Sequence, residues 1–463
     1  MLGRISPQPL PGIVVTAALL LSLLASTLCL SAAKTTHVSG HVTPSVGTDP
    51  HYAYVGHATA GPPFACQTST TNRCYIPQQI RDAYDIQPLL NTGITGQGRT
   101  IVIVDAYQNP TMNSDLHLFD TTFGINDPTL NIIAPDGLTP FDPTDSTQVG
   151  WSGEIALDVE WAHAVAPDAI IDLVLAKSSQ DADILSATSY AINHNLGDVI
   201  SQSFGEGETC VDPQILQQEH HEFFFAALKG ITLLASSGDQ GAAQPSCDGT
   251  SYFLSASSPA SDPFVTAVGG TQLIADPSTG AYGSETSWEE PGDNGGSGGG
   301  FSTIYNKPFY QLGIPAIGAH RGVPDVSYNA AVNGGVMTVW GSSGLGQGLI
   351  FRFGGTSAAS PQWAGITALG AQLGHRRLGF LNLAIYLIGH LGLYSQTFHD
   401  VTSGNNTFVG QDPNGNSLTI NGYNTSTGWD PVTGWGSPRV SSLLPALLHL
   451  ALPTPNQISQ LAN

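Results

Sequence analysis

Ser357 is the residue of this 463-residue chain whose surroundings best suit a nucleophile. It stands in the run Phe353-Gly354-Gly355-Thr356-Ser357-Ala358-Ala359-Ser360-Pro361. The two glycines permit a sharp turn. The apolar, Ala-rich stretch from Ser357 to about Gly370 then reads as a helix, with Pro361 admitted only near its start. A serine on a tight turn at a helix N-terminus faces unpaired N–H groups and the positive end of the helix dipole. Both favour a developing negative charge. A helix-capping serine is the plainer reading of a bare Gly-x-Ser, so the partners decide.

A serine nucleophile needs a base. Glu154 and Asp158 lie four residues apart in a helical stretch, roughly Gly153–Ala164, and share one of its faces. A solvated acidic face is the ordinary reading of such a pair. Trp161 and Val165 fall on the same face, however, and argue for burial. A buried like-charged pair keeps one carboxyl protonated or shares its proton, and it titrates as a unit. Such a pair exchanges a proton with a serine in acid, where a histidine would already be charged. Glu154 as general base, oriented by Asp158, is the arrangement this implies. His163, nine residues past Glu154, points the other way and reads as a helix-surface histidine.

Asp239 follows the apolar run Ile231–Ser236 in Ser237-Gly238-Asp239-Gln240-Gly241. It therefore sits at the carboxyl end of a strand, the edge where open α/β sheets keep their sites. Held neutral, Asp239 donates a hydrogen bond to an oxyanion, worth roughly 3 kcal/mol. A simple Asp-x-Gly turn is the alternative.

The elements that must position these residues are legible as runs. β-Branched stretches recur at Thr100–Val104, Ala169–Leu175, Asp198–Ser203, Ile231–Ser236 and Phe264–Val268. Between them lie helical patterns at about Gly153–Ala164, Asp181–Asn193 and Pro213–Leu228. Buried strands alternating with helices predict an α/β fold, a mainly parallel sheet covered on both faces. Ser284 to Phe301 is Gly-rich and reads as a functional loop, because a helical pattern resumes at Arg377–Leu391. His399 to Pro438 reads as a loop region that closes the domain, and Ser441–Leu452 as a last helix.

Composition narrows the class. Thirty-five acidic residues face 13 Lys+Arg, for a net charge of -22. So few cations cannot build a nucleic-acid surface. Arg4, an apolar run from about Ile13 to Ala32 and then Ala33-Lys34 read as a secretory signal over residues 1–33. The run is long enough for a membrane anchor, which is the competing reading. With the signal removed no membrane contact is expected. Residues 34–74 read as a poorly ordered arm, 75–452 as the main domain and 453–463 as a tail. Cys66, Cys74, Cys210 and Cys247 would remain, an even count suited to two disulfides. Cys66–Cys74 with Cys210–Cys247 is the simplest of three pairings.

Taken together, these motifs resemble the sedolisins, the acid-active serine-carboxyl peptidases related to subtilisins. The match runs from Tyr75 to Pro438: Glu-x-x-x-Asp, then Ser-Gly-Asp-x-Gly, then Gly-Thr-Ser-x-x-Ser-Pro, in the family's order. Ser297–Ser302 and Arg321–Ser327 also look familial. The resemblance implies a subtilisin-like fold and a secreted, monomeric endopeptidase acting on polypeptides. It makes Ser357 the nucleophile, Glu154 the base and acid, Asp158 its partner and Asp239 the oxyanion donor. It also implies one structural Ca²⁺ held by Asp400 and Asp430 carboxylates and the carbonyls of Val401, Ser426 and Gly428, an oxygen-only shell. The subtilisin His-Gly-Thr motif is missing. Asp105, at the strand end where subtilisins keep their triad aspartate, thus has no histidine to orient and reads as a supporting residue. Phe204 stands where relatives often carry tryptophan. Only about forty residues separate the signal from the first familial motif, where relatives have a long folded pro-segment. Two other readings stay open: a neutral subtilisin-type hydrolase using Asp105 and a distant histidine, and a non-catalytic binding protein on a peptidase scaffold.

Overall fold

The computed structural model describes residues 45–48, 51–291, 294–411 and 415–450. The expected signal (1–33) and tail (453–463) lie outside the described residues. Eight strands form the main sheet: β1 Thr100–Ala106, β2 Leu130–Ile133, β3 Ile170–Ala176, β4 Val199–Gln202, β5 Thr232–Ser236, β6 Thr266–Ala275, β7 Tyr282–Ser287 and β8 Val326–Asn329. Their order is β7-β6-β5-β4-β1-β3-β2, with β8 also paired to β6. Every pairing is parallel except β6 with β7. The runs rich in apolar and β-branched residues explain this, since a parallel strand is buried on both faces.

Side chains alternate across the sheet. Val102 and Val104 of β1 join one apolar core, beside residues of α4 (Asp181–Asn193) and α5 (Pro213–Lys229). Ile101 and Ile103 join the other, with α3 (Ser146–Val165) and α6 (Thr356–Gly374). Asp105 continues the second series and faces α3. The expected α/β architecture is the observed one, and α4 has the expected ends.

Helix α3 departs from expectation. From Trp151 to Val165 every residue is buried, so beyond its first turn the helix has no solvent face. On one side it meets α6 so closely that a Cβ on Gly365 would lie 2.6 Å from Val165 Cβ. On another side Trp161 Nε1 donates to the Met337 carbonyl at 3.0 Å, and the Ser152 hydroxyl accepts from Trp340 Nε1 at 3.0 Å. His163 is accordingly not a surface residue. It is fully buried, and its Nε2 lies 3.0 Å from Asp120 Oδ1 on α2 (Met112–Phe123). A period of 3.6 separates two faces but does not say that one of them is wet.

The expected poorly ordered arm (34–74) is corrected over Ser45–Thr48 and His51–Cys74, its remaining residues lying outside the described ones. Tyr52–His57 pairs antiparallel with Leu349–Phe353, and Cys74–Tyr75 pairs parallel with Gly335–Val339, giving a second, four-stranded sheet. The Tyr52 ring sits 5.1 Å from Trp340 and 5.4 Å from Phe353. Aromatic contact and strand pairing thus order a segment whose own composition is loop-like. Disulfides join Cys66 to Cys74 and Cys210 to Cys247, the simplest of the pairings considered. The Gly-rich stretch folds as a hairpin, Glu289–Glu290 with Gly295–Gly296, followed by the strand Gly300–Asn306.

The α3–α6 contact yields a stability prediction. Alanine in place of glycine inside a helix ordinarily gains about 1 kcal/mol. At Gly365 the new methyl group collides with Val165, and overpacking costs typically 1–3 kcal/mol. Gly365→Ala should therefore lower the urea midpoint. Adding Val165→Ala should recover part of the loss, which two independent destabilising changes would not do.

Candidate active site

Ser357 occupies the second position of α6 and is 7% exposed. Gly355 immediately before the helix has φ +97°, a conformation that L side chains rarely adopt. Pro361 lies within α6, where it has no N–H to return to the Ser357 carbonyl one turn back. The Ser203 hydroxyl takes up that carbonyl at 3.4 Å, and the Ser357 hydroxyl donates to the Ser203 carbonyl at 3.4 Å. The proline thus couples the serine turn to the segment leaving β4.

Ser203 is one side of a buried acid cluster. Asp105, Glu154 and Asp158 are all 0% exposed. Burial, and then the charge of Glu154, push the Asp105 carboxyl well above its ordinary range. Burial, and then the charge of Asp105, do the same to Asp158, against a smaller opposing effect of the Ser203 hydroxyl. The three carboxyls lie close enough to repel, in a region from which water is excluded. Protons are retained under these conditions, and the group titrates collectively. The expected pair is a triple, with Asp105 an electrostatic member.

Asp239 follows β5 and approaches the serine turn from the other side. Its Oδ1 accepts from the Thr356 amide at 2.8 Å and from the Thr356 hydroxyl at 2.6 Å. A Cβ on Gly355 would fall 2.6 Å from its Oδ2, so only glycine lets this carboxyl reach the turn. The Gly-rich stretch holds Asp239 in place: Gly296 N–H donates to its carbonyl at 2.8 Å, and Gly298 N–H to that of Gly238 at 2.7 Å.

Away from this site, two segments, Asp400–Val401 and Ser426–Asp430, carry the other expected residues, with the paired strands Phe408–Gln411 and Ser417–Ile420 between them in sequence. Gly428 N–H donates to Asp400 Oδ1 at 3.2 Å, and Ser426 N–H to Asp430 Oδ2 at 2.9 Å. Asp430 is 1% exposed, and burial raises its carboxyl to about 6 despite amide donors from Ser426, Val432 and Thr433. Val401 is buried beside them in sequence. Among the described residues neither carboxylate is in a salt bridge. Two carboxylates and backbone carbonyls make a hard, oxygen-only set that fits Ca²⁺.

A model of the Subtilase family matches residues 150–376, which include Glu154, Asp158, Asp239 and Ser357. Kumamolisin of Bacillus sp. (strain MN-32) is 33% identical over 392 residues, covering 83% of this chain and 65% of that protein. Sedolisin of Pseudomonas sp. (strain 101) is 31% identical over 405 residues, covering 84% of this chain and 63% of its own length. The chain thus spans a little under two thirds of these relatives. The solved Pseudomonas sedolisin, a serine-carboxyl proteinase complexed with two molecules of pseudo-iodotyrostatin, superposes with a TM-score of 0.69 at 30% identity. That match covers 83% of this chain and 100% of the solved one. The chain belongs to the sedolisin family. Its subtilisin-like fold is that of the solved sedolisin. Ser203 was not singled out as a site residue from sequence. Its position at the end of a parallel strand, two residues before Gly205, was the available signal.

The acid cluster carries a prediction for this sedolisin-family chain. The folded state holds protons that the unfolded chain releases near pH 4. Stability is therefore greatest below the ordinary carboxyl range and is lost as pH rises through the raised values of the folded state. Glu206 and Glu219, raised mainly by burial to about 9 and about 8, extend that loss past neutrality. The urea midpoint should fall between pH 4 and pH 8. Asp105→Asn with Asp158→Asn should flatten the slope, each proton accounting for up to about 1.4 kcal/mol per pH unit. A midpoint constant over that range would contradict the assignment.

Proposed function

We propose that this chain is an exported, acid-active serine-carboxyl endopeptidase that cleaves polypeptides through an acyl-enzyme on Ser357. One observation carries the reading. Three carboxyls are buried at the carboxyl end of β1 and on α3, and one of them, Asp158, faces the Ser203 hydroxyl that donates to the Ser357 carbonyl. Such a cluster changes its proton count at low cost when a hydroxyl must lose its proton. The Ser357 oxygen attacks the peptide carbonyl, and its proton passes to Glu154 and then to the leaving amine. Water resolves the acyl-enzyme by the same route in reverse. Glu154 repels Asp105 and Asp105 repels Asp158, so the two aspartates act through their neighbours rather than on substrate. Asp239 takes two donors from Thr356 on Oδ1 and, protonated in acid, donates a hydrogen bond toward the developing oxyanion. The N-terminus of α6 adds its dipole to the same charge.

Two disulfides support an oxidising destination, and no described helix is long and apolar enough to cross a membrane. The enzyme acts as a monomer on this reading. Activity against a quenched peptide library should be highest in acid and decline toward neutrality. Glu154→Gln should lower kcat by on the order of 10²–10⁴. A serine-reactive phosphonate should label the parent but not Ser357→Ala. Asp239→Asn keeps a hydrogen-bond donor without needing a proton, so its profile should extend to higher pH. Equal labelling of parent and Ser357→Ala, or a profile peaking at neutrality, would refute the reading.

One Ca²⁺, held by Asp400 and Asp430 with the carbonyls of Val401, Ser426 and Gly428, would tie the C-terminal loop and screen two neighbouring carboxylates. Calcium at a hundredfold excess over its Kd should then stabilise the fold by about 2.7 kcal/mol. A chelator should remove that increment, and Asp430→Asn should abolish it. The calcium effect should shrink below pH 6, where a proton competes for Asp430. A melting temperature indifferent to both calcium and chelator would refute the site.

A further inference from the structure

On the face of the sheet opposite α3 and α6, helices α4 and α5 leave a cleft of about 400 Å³ between them. Its walls include Leu185 and Ser186 from α4 and Gln218, His221, Glu222 and Phe225 from α5. The four α5 residues recur at the spacing that places side chains on one helix face, so the whole row is turned toward α4. The cleft starts at Ala182, the second residue of α4. That turn follows the carboxyl end of β3, where Leu175 pairs with Asp105. The cleft therefore opens at the same edge of the sheet as the serine site, with which it shares no lining residue.

The lining suits a cation carried on an apolar stem. Glu222 Oε2 is shut off from water and has no hydrogen-bond partner among the described residues. A carboxylate oxygen so placed costs free energy until a donor meets it. His221, next to Glu222 in sequence, diverges from it around the helix, and no Lys or Arg lines the cleft. Ser186 gives its proton to Asp136 Oδ2 at 2.6 Å. Its hydroxyl oxygen is thus left as an acceptor, and a second carboxylate stands behind the wall. Leu185 is 8% exposed, whereas Phe225 is 47% exposed, its ring 6.2 Å from that of His221. An aliphatic stem packs on such a wall, and an aromatic face attracts a cation. The net charge of -22 draws cations to the surface as a whole.

We infer that this cleft binds a lysine or arginine side chain of a polypeptide substrate, at a position remote from the bond that is cut. The substrate assignment rests on the reading of Ser357 as a peptidase nucleophile, whereas the cation site stands without it. The stem lies along Leu185 and Phe225. The charged end meets Glu222, with the Ser186 hydroxyl and the Gln218 side-chain carbonyl as further acceptors. An ammonium or a guanidinium carries enough donors for all three. Binding energy gained so far from the reacting atoms holds the substrate equally in the ground and transition states, so it lowers KM and leaves kcat alone.

Fluorescence polarisation on the full chain carrying Ser357→Ala tests the site without hydrolysis. The probes are fluorescein-labelled Gly-Gly-Lys-Gly-Gly and the same peptide with norleucine for lysine, which keeps the stem and lacks the charge. The lysine peptide should bind at least about tenfold more tightly, and Glu222→Gln should remove that difference. Phe225→Ala, at an exposed position, should weaken the lysine peptide as well. Equal binding of the two peptides, or a preference unchanged in Glu222→Gln, would overturn the site. Tighter binding of free butylammonium than of the lysine peptide, read by competition, would overturn its assignment to a polypeptide. In the chain that keeps Ser357, Glu222→Gln should raise KM for a lysine-bearing substrate with kcat unchanged. Glu222-dependent binding of lysine peptides that the parent never cuts would leave the cation site standing and overturn the peptidase reading.

Discussion

Exclusion of water from three carboxyls at one end of the sheet is the constraint on which this molecule depends. Asp105, Glu154 and Asp158 reach the same region from different elements, a strand and two turns of a helix, and none is exposed. Like charges so placed cannot all ionise at moderate cost. The protein meets that constraint by keeping protons, so acid is the condition in which both its fold and its proposed chemistry are most favourable. The surrounding architecture serves the exclusion. Helix α3 is buried on every side, which requires α6 at contact distance through Gly365 and a second sheet behind Trp161. A helix with a solvent face could not keep its acids dry.

The serine turn is positioned by local exceptions to helical geometry rather than by regularity. Gly355 supplies a positive φ, Asp239 caps Thr356, and Pro361 frees a carbonyl that Ser203 takes up. Each departure fixes one neighbour of Ser357. Farther out, Arg321 and Asp325 form a fully buried bidentate pair at 2.8 Å and 2.6 Å, and Asp325 Oδ2 also accepts from the Ala267 amide. That pair locks β8 against β6 beneath the Gly-rich stretch that supports Asp239.

Much of this was legible in the residues because it depended on local pattern. Runs rich in apolar and β-branched residues mark β1, β3, β4 and β5, and the spacing of Glu154 and Asp158 puts them on one face of α3. The features that were not legible depend on tertiary partners. β8 reads Val-Ser-Tyr-Asn and carries no apolar run. Its Asn329 is satisfied by the Leu273 amide, 56 residues away in sequence, and by the Gly334 carbonyl five residues on. Periodicity identifies faces and not what covers them, so it does not show that His163 is buried. The segment Ser45–Thr48 has no intrinsic strand signal beyond Val46, and its order is conferred by Gly205 and Ser179. Asp105 was recognised as a strand-end acid, but its part in the charge cluster appears only once α3 is laid across β1.

The central claim is that carboxyls in this cluster stay protonated well above the ordinary range. Infrared difference spectroscopy of the folded chain against pH measures it directly, because a protonated carboxyl has its own C=O stretching band. The account predicts a carboxylic-acid band that persists well above the ordinary carboxyl range and diminishes specifically in Asp105→Asn and Asp158→Asn. Loss of all carboxylic-acid absorption near pH 4, with the two variants indistinguishable from the parent, would contradict it.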